Sequence, residues 1–178
     1  KRCLVGSEMC IRDSYKKGPE MLDFPNGTVI TPDGKNLIVG ETLGARLTCF
    51  DIDSEGMLSN RRIWAKTSSQ FGISLVKFLR NIGIKISESG STAKNFHVPD
   101  GICLDEQKGI WIASPTSSAV IRFEEGGTIT DVIETPKNAY ACMLGGQNGR
   151  TLFILTANSS APEICRKKPE GEIFLSLI

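Results

Sequence analysis

The sequence has little histidine and almost no net charge, and each of these features excludes a class of function. The 178 residues contain 21 Lys and Arg, 20 Asp and Glu and one His, which gives a formal charge of +1. A broad surface for nucleic acid or anionic membrane requires a clear basic excess, so we expect neither partner. A His-rich zinc site is excluded, and a Ser-His-Asp triad would have to use His97, which we interpret as a loop residue.

Several signature motifs are also missing. The sequence has no G-x-S-x-G elbow, no phosphate-binding G-x-x-x-x-G-K-[ST] loop and no G-x-G-x-x-G fingerprint. No apolar run reaches the roughly 18 residues that a membrane span requires. No two cysteines share CxxC spacing, and Cys49, Cys103 and Cys142 lie within apolar runs. We therefore expect buried free thiols in a reducing, cytoplasmic compartment.

The chain divides by its pattern into a terminal segment, a β-rich region and an insert. Residues 1–20 show neither strand nor helix periodicity, and we predict a disordered or non-native segment whose first 14 residues or so look like a translated cloning adapter. Residues 21–178 are predicted to be part of a β-propeller domain. The insert at 66–97 is interpreted either as a surface excursion packed on a blade edge or as a lid. The apolar spacing of its stretch at 71–86 is compatible with one amphipathic helix, although Ile84 and Ile86 alternate like a strand.

From Phe24 onward, short apolar runs alternate with turn residues, which predicts strands. Four are predicted at 28–31, 36–40, 46–52 and 60–65, four at 101–105, 110–113, 119–123 and 128–133, and three at 140–144, 151–156 and 171–177. Four antiparallel strands per roughly 40–50 residues are typical of a propeller blade. The prediction is an all-β partial propeller with two full blades and most of a third. A ring needs typically 4–8 blades, so we expect the C-terminal part of a larger propeller or one partner of an assembly.

Asn26 and Asp100 are the candidate functional residues. Each lies between Pro and Gly at the entry to the first strand of its repeat. First strands line the channel of a propeller, so equivalent positions converge on its axis. One amide oxygen and one carboxylate suit Ca²⁺ or Mg²⁺, and Zn²⁺ or Mn²⁺ less exclusively. The alternative is a pair of Asx turns, in which each side chain caps its own backbone.

The order of motifs resembles the regucalcin (senescence marker protein), gluconolactonase and luciferin-regenerating enzyme family. The motifs that carry the resemblance cover about 24–65 and 98–178; they are Phe24-Pro25-Asn26-Gly27, Thr31-Pro32-Asp33-Gly34, Leu58-Ser59-Asn60-Arg61-Arg62, Val98-Pro99-Asp100-Gly101, Gly109-Ile110-Trp111-Ile112-Ala113, Ala141-Cys142-Met143-Leu144-Gly145-Gly146 and Thr151-Leu152-Phe153-Ile154-Leu155-Thr156. The resemblance implies a six-bladed propeller with one divalent cation, Ca²⁺ first among the candidates, in its central channel.

The same resemblance implies roles for the two candidate residues. Asn26 matches the family's Asn metal ligand, and Asp100 matches its Asp metal ligand and proton acceptor or donor. The family's third ligand, a Glu near the start of the first blade, has no counterpart here, and neither do the substrate-contacting Arg and Asn of its earlier blades. The insert at 66–97 is longer than the family's usual connection.

The function implied is divalent-metal-dependent hydrolysis of sugar lactones or similar cyclic esters, complete only with the missing N-terminal blades. The alternatives are a non-catalytic Ca²⁺-binding propeller that binds a ligand or protein, and an incomplete or misassembled reading frame without independent function. Glu41 follows the second strand, where we favour an exposed turn carboxylate over one facing the channel mouth. The lactone and the oligomeric state are not determined by the sequence.

Overall fold

Three antiparallel sheets follow one another along the chain in the computed structural model, which describes residues 21–68 and 96–178. The first sheet has four strands paired in chain order: β1 (Pro25–Ile30), β2 (Asn36–Glu41), β3 (Arg46–Ile52) and β4 (Leu58–Lys66). The second has four: β5 (Ile102–Leu104), β6 (Ile110–Ser114), β7 (Ala119–Phe123) and β8 (Ile129–Glu134). The third has three: β9 (Asn138–Gly145), β10 (Thr151–Ala157) and β11 (Glu172–Leu177).

Tight turns join consecutive strands in the first two sheets and join β9 to β10 in the third, and the first hairpin shows why. Gly34 has a φ of 72°, a left-handed conformation that glycine adopts without steric cost. The carboxylate of Asp33 accepts hydrogen bonds from the Thr31 hydroxyl at 2.6 Å and the Lys35 amide at 3.1 Å. These contacts close the turn locally and bring β1 and β2 into register.

Two hydrophobic clusters hold the three sheets together. The first joins the first and second sheets and includes Ile38, Leu47, Trp64, Ile112 and Phe123. The second joins the second and third sheets and includes Cys103, Trp111, Cys142, Leu152 and Ile154. The second sheet is therefore covered on both faces, and every residue of β6 and β7 is buried.

These observations confirm the all-β class and the strand order expected from the sequence. Helix α1 (Pro162–Lys167), between β10 and β11, was not anticipated. The predicted terminal segment at 1–20 and the predicted helix at 71–86 lie outside the described residues. No helix within 21–68 and 96–178 is long and apolar enough to cross a membrane.

The two ends of the insert are held against each other. Ser68 and Phe96 form an isolated β-bridge. The hydroxyls of Thr67 and Ser68 both donate to the His97 carbonyl, at 2.8 and 2.7 Å. The connection between the first two sheets therefore leaves and re-enters the fold at one place, immediately before the Pro99-Asp100-Gly101 motif.

Candidate metal centre

Asn26 and Asp100 lie on neighbouring chain segments that are hydrogen-bonded through their backbones. The amide of Gly27 donates to the carbonyl of Asp100 at 2.9 Å. One sheet further on, the amide of Gly101 donates to the carbonyl of Tyr140, also at 2.9 Å. The first strands of the three sheets, β1, β5 and β9, therefore meet at the end that carries the two candidate residues.

The glycine after each candidate residue allows this close approach. A Cβ on Gly27 would lie 2.5 Å from the Ile102 amide nitrogen and 2.6 Å from the Asp100 carbonyl oxygen. A Cβ on Gly101 would lie 2.7 Å from the Ala141 Cα. Any side chain at either position would push neighbouring strands apart, so the Asn-Gly and Asp-Gly pairs serve contact between sheets.

The loop before β5 is tied to the first sheet. The Thr42 hydroxyl, just after β2, donates to the Pro99 carbonyl at 2.7 Å, and the Thr42 amide donates to the Phe24 carbonyl at 3.1 Å. The Asp100 amide donates to the Ala113 carbonyl at 3.0 Å. The backbone that carries Asp100 is thus held by contacts to both the first and the second sheet.

The two candidate side chains suit a divalent cation by their chemistry. Asn26 is exposed and Asp100 is half-buried, so solvent and ions reach both. An amide oxygen and a carboxylate are hard donors of the type that Ca²⁺ prefers, although Ca²⁺ takes about 6–8 oxygen ligands in all. Among the described residues, no group of three or more His, Cys, Asp or Glu side chains is arranged to hold a metal ion. By donor chemistry alone, Asn26 and Asp100 would supply two of the oxygen ligands that such a cation takes.

Tyr140 occupies the corresponding position on the third sheet, which sequence reasoning missed. Its carbonyl accepts from Gly101 as the carbonyl of Asp100 accepts from Gly27. The Tyr140 hydroxyl lies 3.5 Å from the amide nitrogen of the buried Asn138 side chain. The signal available in the sequence was the small residue after it, Ala141, where the other two repeats have glycine.

The expectation for Glu41 was wrong. Glu41 is the last residue of β2 and is 0% exposed. Its carboxylate accepts from Arg46 at 2.9 and 2.7 Å, from Arg61 at 3.1 Å and from the Asp23 amide at 2.6 Å, and it also accepts from the Thr48 hydroxyl. A buried carboxylate with this many donors is a structural anchor at the end of the first sheet rather than an exposed turn residue.

This arrangement determines the charge state of Glu41. Burial by itself would raise the pKa of its carboxyl, but hydrogen bonds from Arg46, Thr48 and the Asp23 backbone lower it to about 2. The side chain is therefore ionised at neutral pH, and two arginines neutralise it. The network holds the start of β1, and with it Asn26, against the end of β2.

His97 lies outside the strands, as predicted, but it is buried. Its Nδ1 lies 3.0 Å from the Ser117 hydroxyl, and its ring meets Phe123 edge-on at 6.4 Å between centroids. Burial lowers the pKa of the ring below its usual value, so the neutral form predominates at neutral pH. Its surroundings are those of a core histidine next to the loop that carries Asp100.

Comparison with known proteins identifies relatives of this chain. Residues 11–158 match the family model described as SMP-30/Gluconolactonase/LRE-like region. Regucalcin of Sus scrofa is 26% identical over 160 residues, an alignment that covers 87% of this chain and 45% of that protein. The chain thus spans about half the length of the curated relatives it matches.

Solved structures show the same likeness. A luciferin-regenerating enzyme aligns with a TM-score of 0.61 at 17% identity, covering 90% of this chain and 47% of that one. A calcium-binding protein, regucalcin, from Agrobacterium tumefaciens aligns with a TM-score of 0.58 at 19% identity, covering 86% and 45%. A gluconolactonase from Xanthomonas campestris aligns with a TM-score of 0.52 at 28% identity, covering 77% and 36%. The first two comparisons concern the fold alone.

Proposed function

This chain belongs to the SMP-30/Gluconolactonase/LRE-like family, and on that basis we propose that it forms part of a divalent-metal-dependent hydrolase of sugar lactones or similar cyclic esters. The observation that carries the proposal is the hydrogen bond from the Gly27 amide to the Asp100 carbonyl, which joins the segments bearing Asn26 and Asp100. Two oxygen donors of the kind that hard cations prefer therefore lie at the same end of adjoining sheets.

We propose further that the three sheets are consecutive blades of a six-bladed propeller. Consecutive sheets pack face to face, and their first strands adjoin in the order β1, β5, β9. Three blades of six also agree with a chain that spans about half the length of its relatives. The remaining blades would supply the other cation ligands and the substrate contacts.

Asn26 and Asp100 would hold the cation, which we expect to be Ca²⁺, with Zn²⁺, Mg²⁺ or Mn²⁺ as alternatives. When bound, such an ion polarises a carbonyl or lowers the pKa of a water to near neutrality. Asp100 accepts a proton at its carboxylate from the water that attacks the lactone carbonyl carbon. It returns that proton to the ring oxygen as the acyl C–O bond breaks. The contacts to the Pro99 carbonyl and the Asp100 amide hold the backbone that carries this carboxylate.

The alternative is a propeller that binds Ca²⁺ and a ligand or protein without catalysis. Its support is that this chain supplies two candidate ligands and that a structural relative is described as a calcium-binding protein. As further proposals, the partner is a small lactone rather than nucleic acid or a membrane, and the location is cytoplasmic. The near-zero net charge argues against nucleic acid or an anionic membrane as the partner. The buried free thiols Cys49, Cys103 and Cys142 support a reducing, cytoplasmic location.

The test is proton release during lactone opening, measured in a pH-stat with the protein that carries these residues. We expect turnover to require a divalent cation and Asp100→Asn to reduce it at least 100-fold. Glu106→Gln is the matched control, because Glu106 is an exposed turn carboxylate in the same sheet. Turnover that persists unchanged after chelation contradicts the metal mechanism. Tight cation binding without opening of any lactone in a broad panel favours the binding protein.

A further inference from the structure

Two buried cysteines on different sheets are in contact. Cys103 lies on β5 and Cys142 on β9, and their sulfur atoms are 3.8 Å apart. They are 2% and 4% exposed. Nothing in their sequence spacing indicates a pair, because 38 residues separate them. The contact exists because the first strands of the second and third sheets lie side by side.

The surroundings of the pair bury both sulfurs and disfavour the thiolate form of Cys142. The sulfur of Cys142 lies 3.5 Å from the Trp111 carbonyl and 3.7 Å from the Gly101 carbonyl. The adjacent Cys103 thiol, together with burial, raises the pKa of Cys142 well above its ordinary value. Cys142 is therefore a thiol at neutral pH. Because both sulfurs are buried, an oxidant reaches them only if it is small or if the strands open locally.

The other described cysteines are placed differently. Cys49 belongs to the cluster between the first and second sheets, where its sulfur lies 3.6 Å from the Asn36 side-chain oxygen. Cys165 is exposed on α1. Within residues 21–68 and 96–178, Cys103 and Cys142 are thus the pair whose sulfurs meet.

From this geometry we propose that Cys103 and Cys142 form a reversible disulfide when a hydroperoxide oxidises the protein, and that this bond covalently joins the second and third sheets. The sulfurs must approach from 3.8 Å to about 2.05 Å, a shift that side-chain rotation and a small strand movement provide. The proposal is independent of the lactonase function.

The chemistry balances in two steps. When the strands open locally, one thiol loses its proton to solvent and the thiolate sulfur attacks the peroxide. The O–O bond breaks, a sulfenic acid forms, and the departing oxygen takes up a proton and leaves as water or an alcohol. The second thiol sulfur then attacks the sulfenic sulfur, the S–S bond forms, the S–O bond breaks and a water leaves. Together the two thiols lose two electrons and two hydrogens to one peroxide. Two molecules of a cellular thiol such as glutathione restore the dithiol by exchange and are themselves joined as a disulfide.

The disulfide would lie close to the candidate metal centre. Cys103 is three residues after Asp100, and Cys142 is two residues after Tyr140. A disulfide between Cys103 and Cys142 closes a loop of about 40 residues and reduces the conformational entropy of the unfolded chain. We therefore expect the oxidised protein to unfold at higher urea concentration than the reduced protein.

The experiment uses the full chain with Cys3, Cys10 and Cys165 changed to Ser, which leaves Cys49, Cys103 and Cys142. The folded protein is treated with hydrogen peroxide, free thiols are blocked, and peptides are mapped by mass spectrometry without reduction. We expect one cross-link, Cys103 to Cys142, two hydrogens lighter than the dithiol and reversed by dithiothreitol. The same treatment in denaturant should give all three pairings.

Two further variants complete the test. Cys49→Ser should keep the cross-link, and Cys103→Ala should lose both the cross-link and the shift in urea midpoint on oxidation. If Cys103→Ala does not fold, the peptide map of the intact pair decides alone. The proposal is overturned if Cys103 and Cys142 stay thiols while the exposed Cys165 of the unmodified chain is fully oxidised. It is equally overturned if each is converted separately to a sulfinic acid, or if the native cross-link includes Cys49.

Discussion

The second and third sheets differ in how they are covered, although their sequences are similarly apolar. In the second sheet, β6 and β7 are buried along their whole length because a sheet lies against each face. In the third sheet, burial alternates along β11: Phe174 packs inward, while Ile173 and Leu175 are each 64% exposed. Burial by neighbouring sheets, rather than amino-acid composition, therefore distinguishes an inner sheet from an end sheet.

The open face of the third sheet has the composition of a contact surface. The strand register places Met143, Phe153, Leu155, Ile173, Leu175 and Leu177 on this face, and five of the six are 42–77% exposed. An apolar sheet face of this kind usually marks a site of contact. Within the proposed six-bladed propeller, the next blade would cover it.

The largest expected effect comes from the covered region. Ile112 is 0% exposed in β6, so Ile112→Ala removes packing in the core and leaves a cavity. We expect the free energy of unfolding to fall by about 2–5 kcal/mol in urea titrations. Leu175→Ala on the open face should change it by less than about 0.5 kcal/mol. Equal losses at the two positions would mean that the open face is covered in solution.

Two carboxylates extend the comparison between covered and open regions, because one is buried and the other is partly exposed. Glu41→Gln removes a buried carboxylate from two arginines, and we expect a loss of about 3 kcal/mol at neutral pH. Because the folded pKa is about 2 and the ordinary value is 4.5, the contribution is present above pH 4.5 and is lost as pH falls towards 2. Urea titrations between pH 2 and 7 should show a flatter profile in the variant across that window. Asp51 is paired with Arg62 and its side chain is 40% exposed, so it provides the control: Asp51→Asn should change the profile far less.

A substitution at the contact between the second and third sheets should have a smaller effect on the free energy of unfolding. Gly101→Ala places a Cβ 2.7 Å from the Ala141 Cα, and the strands must separate to accept it. We expect a loss of about 1–3 kcal/mol in the free energy of unfolding. Gly171→Ala is the control, because the nearest atom to its added Cβ is the Thr156 carbonyl oxygen at 3.7 Å. A neutral Gly101→Ala would contradict the close approach of β5 and β9.

The smallest effect on stability is expected at the open face, where the readout is association. Leu175→Glu should leave the urea midpoint nearly unchanged and should reduce concentration-dependent self-association in sedimentation velocity. The charge opposes the burial of this face against any apolar surface. If the wild-type chain sediments as a monomer at every concentration, the open face does not mediate self-association.

The strands were predictable because their signals are local. The predicted strands at 46–52 and 119–123 have the bounds of β3 and β7 in the structure. Turn residues such as Asp33 and Gly34 act over a few residues, and so does the alternation of apolar side chains. Helix α1 was missed because its six residues are too short for a helical period to stand out, and none of them is buried.

The candidate site was only partly predictable. The repeats identified Asn26 and Asp100 as equivalent positions, and the backbone contact between Gly27 and Asp100 agrees with that placement, while their role as ligands stays a prediction. Tyr140 lacked the Asx-Gly pattern and was missed. Glu41 was misjudged because its burial depends on Arg46, Thr48 and Arg61, and nothing in its immediate neighbours indicates that these side chains converge on it.

The sequence by itself determined the strands, their order and the recurrence of the Asx-Gly entry, since these depend on turn chemistry and apolar alternation between near neighbours. Only the tertiary structure decided which sheet faces are covered, that Glu41 is buried between two arginines and that Cys103 meets Cys142. The physical reason is distance along the chain. Contacts between sheets join residues far apart in sequence, and packing of whole sheets brings them together.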